Sequence, residues 1–127
     1  MNTLRNKVQL IGRVGAKPEL QTVKGDYKLS FFSLATHEVY KDKEGVWQDQ
    51  TNWHQIKAWG NVAERVVSTL DKGSEVVLEG RIVNRQFTAK DGEQRNVTEV
   101  ELHEFVLLKR NQHEHKTEVK PIKKKAV

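Results

Sequence analysis

Residues 59–80, WGNVAERVVSTLDKGSEVVLEG, decide the fold because they place one helix between two strand-like segments. Apolar residues recur at helical spacing over residues 62–70, which predicts a short amphipathic helix. Its apolar positions are Val62, Ala63, Val66, Val67 and Leu70. The segments on either side of the helix have the period-two alternation of side chains that is typical of strands. They are residues 47–59 before the helix and residues 74–87 after it. The helix is therefore expected to connect two strands.

Three more segments have the alternation that is typical of strands: residues 6–14, 27–39 and 97–108. Gly12 and Gly80 lie inside two of the five strands, where glycines often mark bulges or the corners of a barrel. Three strands, one helix and two strands is the order of an OB fold. We therefore predict an all-β OB fold, a five-stranded Greek-key barrel with one short α-helix between strands 3 and 4. A six-stranded open sandwich would need more strands than the pattern shows.

Charge divides the 127 residues into two parts. The segment 109–127 holds seven of the 22 Lys and Arg residues but two of the 17 Asp and Glu residues, so residues 1–108 are left with fifteen of each sign. We predict one OB domain over residues 1–108 and a basic C-terminal tail over residues 109–127. The tail has no apolar periodicity and is expected to be disordered.

The composition argues against an enzyme and against a membrane protein. There is no cysteine, which excludes disulfides, thiolate zinc sites and a cysteine nucleophile. The histidines are scattered, and no nucleophile and base pair or phosphate-binding glycine loop is present. We therefore expect no catalytic residue, no metal and no other cofactor. No apolar run approaches the roughly 20 residues of a membrane span, so we expect a cytoplasmic protein.

Aromatic residues next to cations are the strongest functional signal. Unpaired bases stack on aromatic rings while cations follow the phosphates, and stacking accepts every base. The candidate rings are Tyr40, Trp53, Trp59 and Phe87, and the candidate phosphate contacts are Lys57, Arg81 and Arg85. Trp53 and Trp59 would serve equally well as half-buried packing residues of a strand. Tyr40, Trp47 and Phe87 lie at strand ends or beside charged loops, where exposure is favoured.

The sequence also resembles the bacterial single-stranded DNA-binding protein (SSB) family over residues 4–108. The matching words are Asn6-Lys7-Val8-x-Leu10-Ile11-Gly12-x-Val14-Gly15, Pro18-Glu19, Phe32-x-Leu34-Ala35-Thr36, Thr51-x-Trp53-His54, Gly60-x-x-Ala63-Glu64, Leu70-x-Lys72-Gly73, Val77-x-Glu79-Gly80, Arg85-x-Phe87, Asp91-Gly92 and Thr98-Glu99-Val100. Each word alone is weak, but the whole series in order is specific.

This resemblance implies an OB fold that assembles, usually as a homotetramer, and binds and protects single-stranded DNA in replication, recombination and repair. It implies base stacking at Tyr40, Trp53, Trp59 and Phe87. His54 falls on a position associated with subunit contact, although a satisfied core or surface histidine is an equal alternative. Family members typically continue to an acidic tip that recruits other proteins. This sequence ends in Lys123-Lys124-Lys125-Ala126-Val127, so such recruitment is not carried over.

Two other functions remain open from the sequence. An OB-fold interaction protein of the primosome type would use a similar barrel to bind replication proteins, and the neutral charge of residues 1–108 favours it. An RNA chaperone would use the same rings, because a stacking platform accepts RNA as well as DNA.

Overall fold

The computed structural model of the protein describes residues 3–110, and most of them lie in strands. Two short 3-10 turns, Thr3–Arg5 and Lys24–Asp26, accompany the regular elements. The strands are Val8–Val14 (β1), Glu19–Val23 (β2), Tyr27–Lys41 (β3), Trp47–Trp59 (β4), Glu75–Thr88 (β5) and Gln94–Lys109 (β6), and the helix is Gly60–Thr69 (α1). No helix in this part of the chain is long and apolar enough to cross a membrane.

Five of the strands form a closed barrel in the order β1, β5, β6, β4, β3. Pairing of Arg13 with Ala35 and of Val14 with Leu34 joins β1 back to β3 and closes it. The β4–β6 pairing is parallel and the others are antiparallel. The predicted all-β OB barrel is confirmed, with its helix between the third and fourth barrel strands, which are β4 and β5 here.

Strand β2 is an addition that the sequence did not predict. It pairs with β3 alone and lies outside the closed barrel. Four of its five residues are exposed, so it needs no apolar face and leaves no alternating pattern to detect. The 3-10 turn between β2 and β3 contains Gly25, whose φ of 76° is in the left-handed region that glycine tolerates.

The core is formed by the inward side chains of all five barrel strands and by one side of α1. Its buried members are Val14, Phe32, Leu34, Ile56, Ala58, Ala63, Val66, Leu70, Val76, Leu78, Val100, Leu102 and Phe105. Helix α1 closes one side with Ala63 and Val66, although it begins at Gly60, two residues before the predicted start. The prediction of a core helix between strands is therefore confirmed, with an earlier start.

Both strand glycines allow backbones to approach closely. A Cβ atom at Gly12 would collide with the carbonyl of Ala35, and one at Gly80 would collide with the carbonyl of Glu101. The register of β5 against β6 shifts between Glu79 and Gly80, which is the expected bulge. These two positions let the strands bend enough to close the barrel.

Strand β6 ends at Lys109. The division into a domain over residues 1–108 and a tail over residues 109–127 stays a prediction. The prediction of a disordered tail falls almost entirely on residues 111–127, which lie outside the described residues.

Candidate nucleic-acid interface

Strand β4 carries three of the predicted site residues on one side. Trp53, Lys57 and Trp59 occupy alternating positions, and successive side chains of a strand point to opposite faces. The intervening Ile56 and Ala58 are fully buried in the core. The two tryptophans and the lysine therefore face away from the core. A role of Trp53 and Trp59 in base stacking stays a prediction.

Strands β6 and β5 continue the same surface. Glu101 of β6 pairs with Lys57 of β4 on one side and with Arg81 of β5 on the other, so all three side chains share a face. Arg85 and Phe87 follow Arg81 at alternating positions of β5, and the register there is continuous. We call this surface the outer face, and its members are Trp53, Lys57, Trp59, Arg81, Arg85 and Phe87.

Two glutamates on the outer face form ion pairs with all three cations that were predicted to contact phosphate. Glu101 Oε1 lies 2.6 Å from Arg81 Nε. The Glu99 carboxylate lies 3.4 Å from Lys57 Nζ and accepts two hydrogen bonds from Arg85, of 3.3 and 3.2 Å. A groove of about 190 Å³ is lined by Glu99, Glu101, Lys57, Arg81, Trp59 and Val83. Neither glutamate was predicted as a site residue from the sequence, although alternation with the buried Val100 and Leu102 places both of them on the outward side.

The environment of Glu99 keeps its carboxylate ionised. Glu99 is only 5% exposed, and burial alone would raise the pKa of its carboxyl group. Hydrogen bonds from Arg85 and the charge of Lys57 outweigh burial, so the pKa of Glu99 is lowered. Hydrogen bonding to Glu99 raises the pKa of Arg85 in return. Glu99 is thus a fixed anion that holds two cations in place.

Trp53 has the best geometry for a stacking platform on the outer face, because its side chain is 60% exposed. One edge of its ring rests against Gly15, where a Cβ atom would lie 2.7 Å from Trp53 Cζ3 and 2.6 Å from Ser33 Oγ. Only a residue without a side chain leaves room for the ring there. Gly15 therefore helps to set the orientation of Trp53.

Trp59 is more enclosed. It stacks on Tyr27 with a centroid separation of 5.2 Å and an interplanar angle of 16°. Lys57 Nζ lies 5.4 Å from the Trp59 centroid, within cation–π range. Tyr27 is half-exposed and was not among the predicted site residues. A base that reaches Trp59 would meet a ring that already has two neighbours.

The remaining predicted rings lie on hairpins. Phe87 is partly exposed beside the turn that joins β5 to β6, with the Arg85 guanidinium 5.9 Å from its centroid. Tyr40 pairs with Gln48 near the tip of the β3–β4 hairpin, whereas Trp53 pairs with Ala35 in the same unbroken register. Tyr40 and Trp53 are thus on opposite faces of the hairpin. The structure groups Trp53, Trp59 and Phe87 but does not bring Tyr40 to them.

His54 lies on the side of β4 opposite to Trp53. Its Nε2 atom is 2.9 Å from Thr36 Oγ1, so the ring has a hydrogen-bonding partner within the chain. The side chain also lines an open cavity of about 270 Å³ together with Val8 and Leu10 of β1. A subunit contact at His54 stays a prediction. Among residues 3–110, no cluster of His, Asp and Glu could hold a metal ion.

Comparison with known proteins places this chain among relatives of one kind. The model of the single-strand binding protein family matches residues 5–108. A single-stranded DNA-binding protein of Xylella fastidiosa is 40% identical over 103 residues, covering 81% of this chain and 63% of the relative. Another, from Chlorobaculum tepidum, is 40% identical over 96 residues, covering 75% and 59%. The chain therefore spans about three-fifths of the length of these relatives.

Solved structures agree with the sequence relatives. The complex of Plasmodium falciparum SSB with ssDNA matches with a TM-score of 0.77 and 30% identity, covering 81% of this chain and 94% of that one. A deletion mutant of the single-stranded DNA binding protein from Thermus aquaticus has a TM-score of 0.73 and 28% identity, covering 84% and 52%. The barrel fold agrees with these solved structures, and the family model matches most of the sequence. The chain belongs to the single-strand binding protein family.

Proposed function

We propose that this protein binds single-stranded DNA without sequence specificity and protects it during replication, recombination and repair. The observation that carries the proposal is the outer face, where rings on β4 and β5 flank a row of cations on one side of an OB barrel. Family membership and the DNA named in the Plasmodium complex support the same function.

In this mechanism, bases stack on Trp53, Trp59 and Phe87, and on Tyr40 where the strand passes around the β3–β4 hairpin. Because every base has a π-face, such stacking accepts any sequence. Arg81 and Arg85 are both about half-exposed and are the better placed phosphate contacts, while the Lys57 side chain is only 19% exposed. Duplex DNA should bind poorly because its base faces are covered.

We further propose a homo-oligomer, most simply a tetramer. An apolar row crosses the outside of the barrel where Ile11 pairs with Val77 and Val77 pairs with Val106. Ile11 and Val106 are both more than half-exposed. A second copy of the chain would cover this row, and His54 would lie near a subunit contact. Size-exclusion chromatography with light scattering tests the oligomer, and Val106→Glu should dissociate it.

We propose no enzymatic step and no cofactor, and we place the protein in the bacterial cytoplasm. The support is the function of the relatives, whose names describe DNA binding.

One observation favours the primosome-type alternative, in which the barrel binds other replication proteins. All three predicted phosphate contacts are already paired with Glu99 or Glu101, which lowers the positive charge offered to DNA. The exposed ring of Trp53 favours DNA, because stacking contributes roughly 1–3 kcal/mol per base even where net charge is small.

The deciding experiment compares wild type with Trp53→Ala in binding to labelled oligo(dT), followed by fluorescence anisotropy. We expect Trp53→Ala to weaken binding about 5- to 150-fold, corresponding to one lost stacking contact. Val46→Ala, which removes another exposed side chain, is the matched control. Equal affinity of wild type and Trp53→Ala would remove Trp53 from the site, and absence of binding by wild type would favour the protein-binding alternative.

A further inference from the structure

Trp47 is the most exposed aromatic residue of the described chain, with 64% of its surface exposed. It begins β4 at the tip of the β3–β4 hairpin, directly opposite Lys41 of β3. Trp47 is not among the buried core residues, and its neighbours Val46 and Tyr40 are exposed as well. A tryptophan that is not required for packing is a candidate for binding.

Trp47 is on the same face of the hairpin as Trp53. The pairing of β3 with β4 is continuous from Leu29 and Trp59 to Lys41 and Trp47, with no register shift. Trp47 and Trp53 are six residues apart on one strand, an even number, so their side chains leave the same face. Their separation along the strand is roughly 20 Å. Tyr40 leaves the opposite face.

Lys41 and Trp47 form a cation–π pair. Its Nζ atom lies 5.5 Å from the Trp47 centroid, similar to the 5.4 Å of Lys57 and Trp59 and the 5.9 Å of Arg85 and Phe87. Within residues 3–110, Lys57 and Arg85 form ion pairs with Glu99, whereas no carboxylate lies within ion-pair distance of Lys41. Lys41 therefore keeps its charge available for a phosphate.

Two of the acidic residues near Lys41 interact with other groups. Asp42 Oδ1 accepts hydrogen bonds of 2.9 Å from the amides of Glu44 and Val46, and its second oxygen accepts one from Gln48. The Val46 amide and the other donors lower the pKa of Asp42 and keep it ionised. Asp49 lies 3.4 Å from His37 Nε2. The hydrogen bonds of Asp42 also fix the turn that presents Trp47.

We propose that Trp47 and Lys41 form an additional single-stranded nucleic-acid subsite, which extends the track of Trp53 along the same face of the hairpin. A base stacks on Trp47 and its phosphate meets Lys41. This inference rests on the proposed function, since it lengthens the path of the same strand. It gives the hairpin a direct role in how many nucleotides each barrel occludes.

Single-tryptophan variants test the subsite separately from the outer face. The double variant Trp53→Phe, Trp59→Phe leaves Trp47 as the only tryptophan, and the double variant Trp47→Phe, Trp59→Phe leaves Trp53. Phenylalanine keeps a ring at each substituted position. Each variant is titrated with oligo(dT) of about 16 nucleotides, the upper end of the site size for one OB fold. Tryptophan emission reports stacking, and anisotropy of labelled DNA reports binding.

Quenching of the variant that retains Trp47 supports the subsite. Quenching only in the variant that retains Trp53 overturns it and leaves the proposed function intact. Binding without quenching in either variant overturns both stacking sites, and no binding by either variant or wild type overturns the proposed function itself.

A second pair of variants measures the contribution of the subsite. Trp47→Ala should weaken binding of the long oligonucleotide about 5- to 150-fold, with no change in melting temperature. Lys41→Gln should reduce the salt slope of log Kobs by about 0.7, and Lys41→Arg should restore it. Val46→Ala is the control for the hairpin. An unchanged affinity of Trp47→Ala would overturn the subsite.

Discussion

Replacing Glu101 by Gln should strengthen binding to single-stranded DNA. Glu101 Oε1 lies 2.6 Å from Arg81 Nε, and both side chains are reached by solvent. A phosphate that contacts the Arg81 guanidinium would lie roughly 6 Å from the Glu101 carboxylate. Two like charges at that distance repel by about 0.7 kcal/mol in water and about 1.4 kcal/mol at half its dielectric constant. Removing the charge should therefore tighten binding roughly three- to ten-fold.

The salt dependence provides a second, independent readout of the same variant. Once Glu101 no longer neutralises Arg81, one more phosphate charge is compensated by the protein, and the slope of log Kobs against log salt steepens by about 0.7. Anisotropy titrations with labelled oligo(dT) at several KCl concentrations measure both quantities. Glu104→Gln is the matched control, because it removes an equal charge that is paired with Arg65, about 10 Å farther along β6. A folded Glu101→Gln variant with unchanged affinity and slope would refute the reasoning.

Three further predictions follow from particular contacts. Gly15→Ala should displace the Trp53 ring and weaken DNA binding several-fold, with little change in the melting temperature. Anisotropy titrations measure the binding and thermal melts measure the stability; unchanged binding would contradict this. Ser30→Ala should raise the unfolding free energy by about 1 kcal/mol in urea denaturation, because Ser30 Oγ is buried and has no hydrogen-bonding partner among the described residues; a loss of stability would contradict this. Since the pKa of Glu99 is lowered in the folded state, its contribution to stability is present above the ordinary glutamate range and is lost as pH falls through the folded value. Urea midpoints measured at falling pH should decline, and Glu99→Gln should flatten part of that decline; an identical pH profile in both proteins would contradict it.

The sequence predicted the barrel because its core strands and helix carry strong periodicity. The helix stripe through Ala63 and Val66 and the alternation through Val76 and Leu78 both come from residues that are buried in the structure. Strand β2 escaped prediction because an exposed edge strand is held by backbone pairing and leaves no apolar pattern.

The sequence predicts which face of a strand each aromatic side chain occupies, but not which ion pairs the neighbouring cations form. Trp53, Trp59 and Phe87 lie on strands that meet on one face, and alternation fixes the face of each side chain. Their contact with DNA stays a prediction. The pairing of Arg85 with Glu99 and of Arg81 with Glu101 depends on which strands are neighbours, and that is tertiary information. The separation of Tyr40 from Trp53 depends likewise on the hairpin register.

The central claim is that unpaired bases stack on the tryptophans of the outer face, and intrinsic tryptophan fluorescence tests it most directly. The protein is titrated with oligo(dT) and with a duplex of equal length, each at moderate and at high salt. Our account predicts strong quenching by the single strand that persists at high salt, because stacking does not depend on charge, and little quenching by the duplex. Weak binding to both DNAs that disappears at high salt, without quenching, would contradict it.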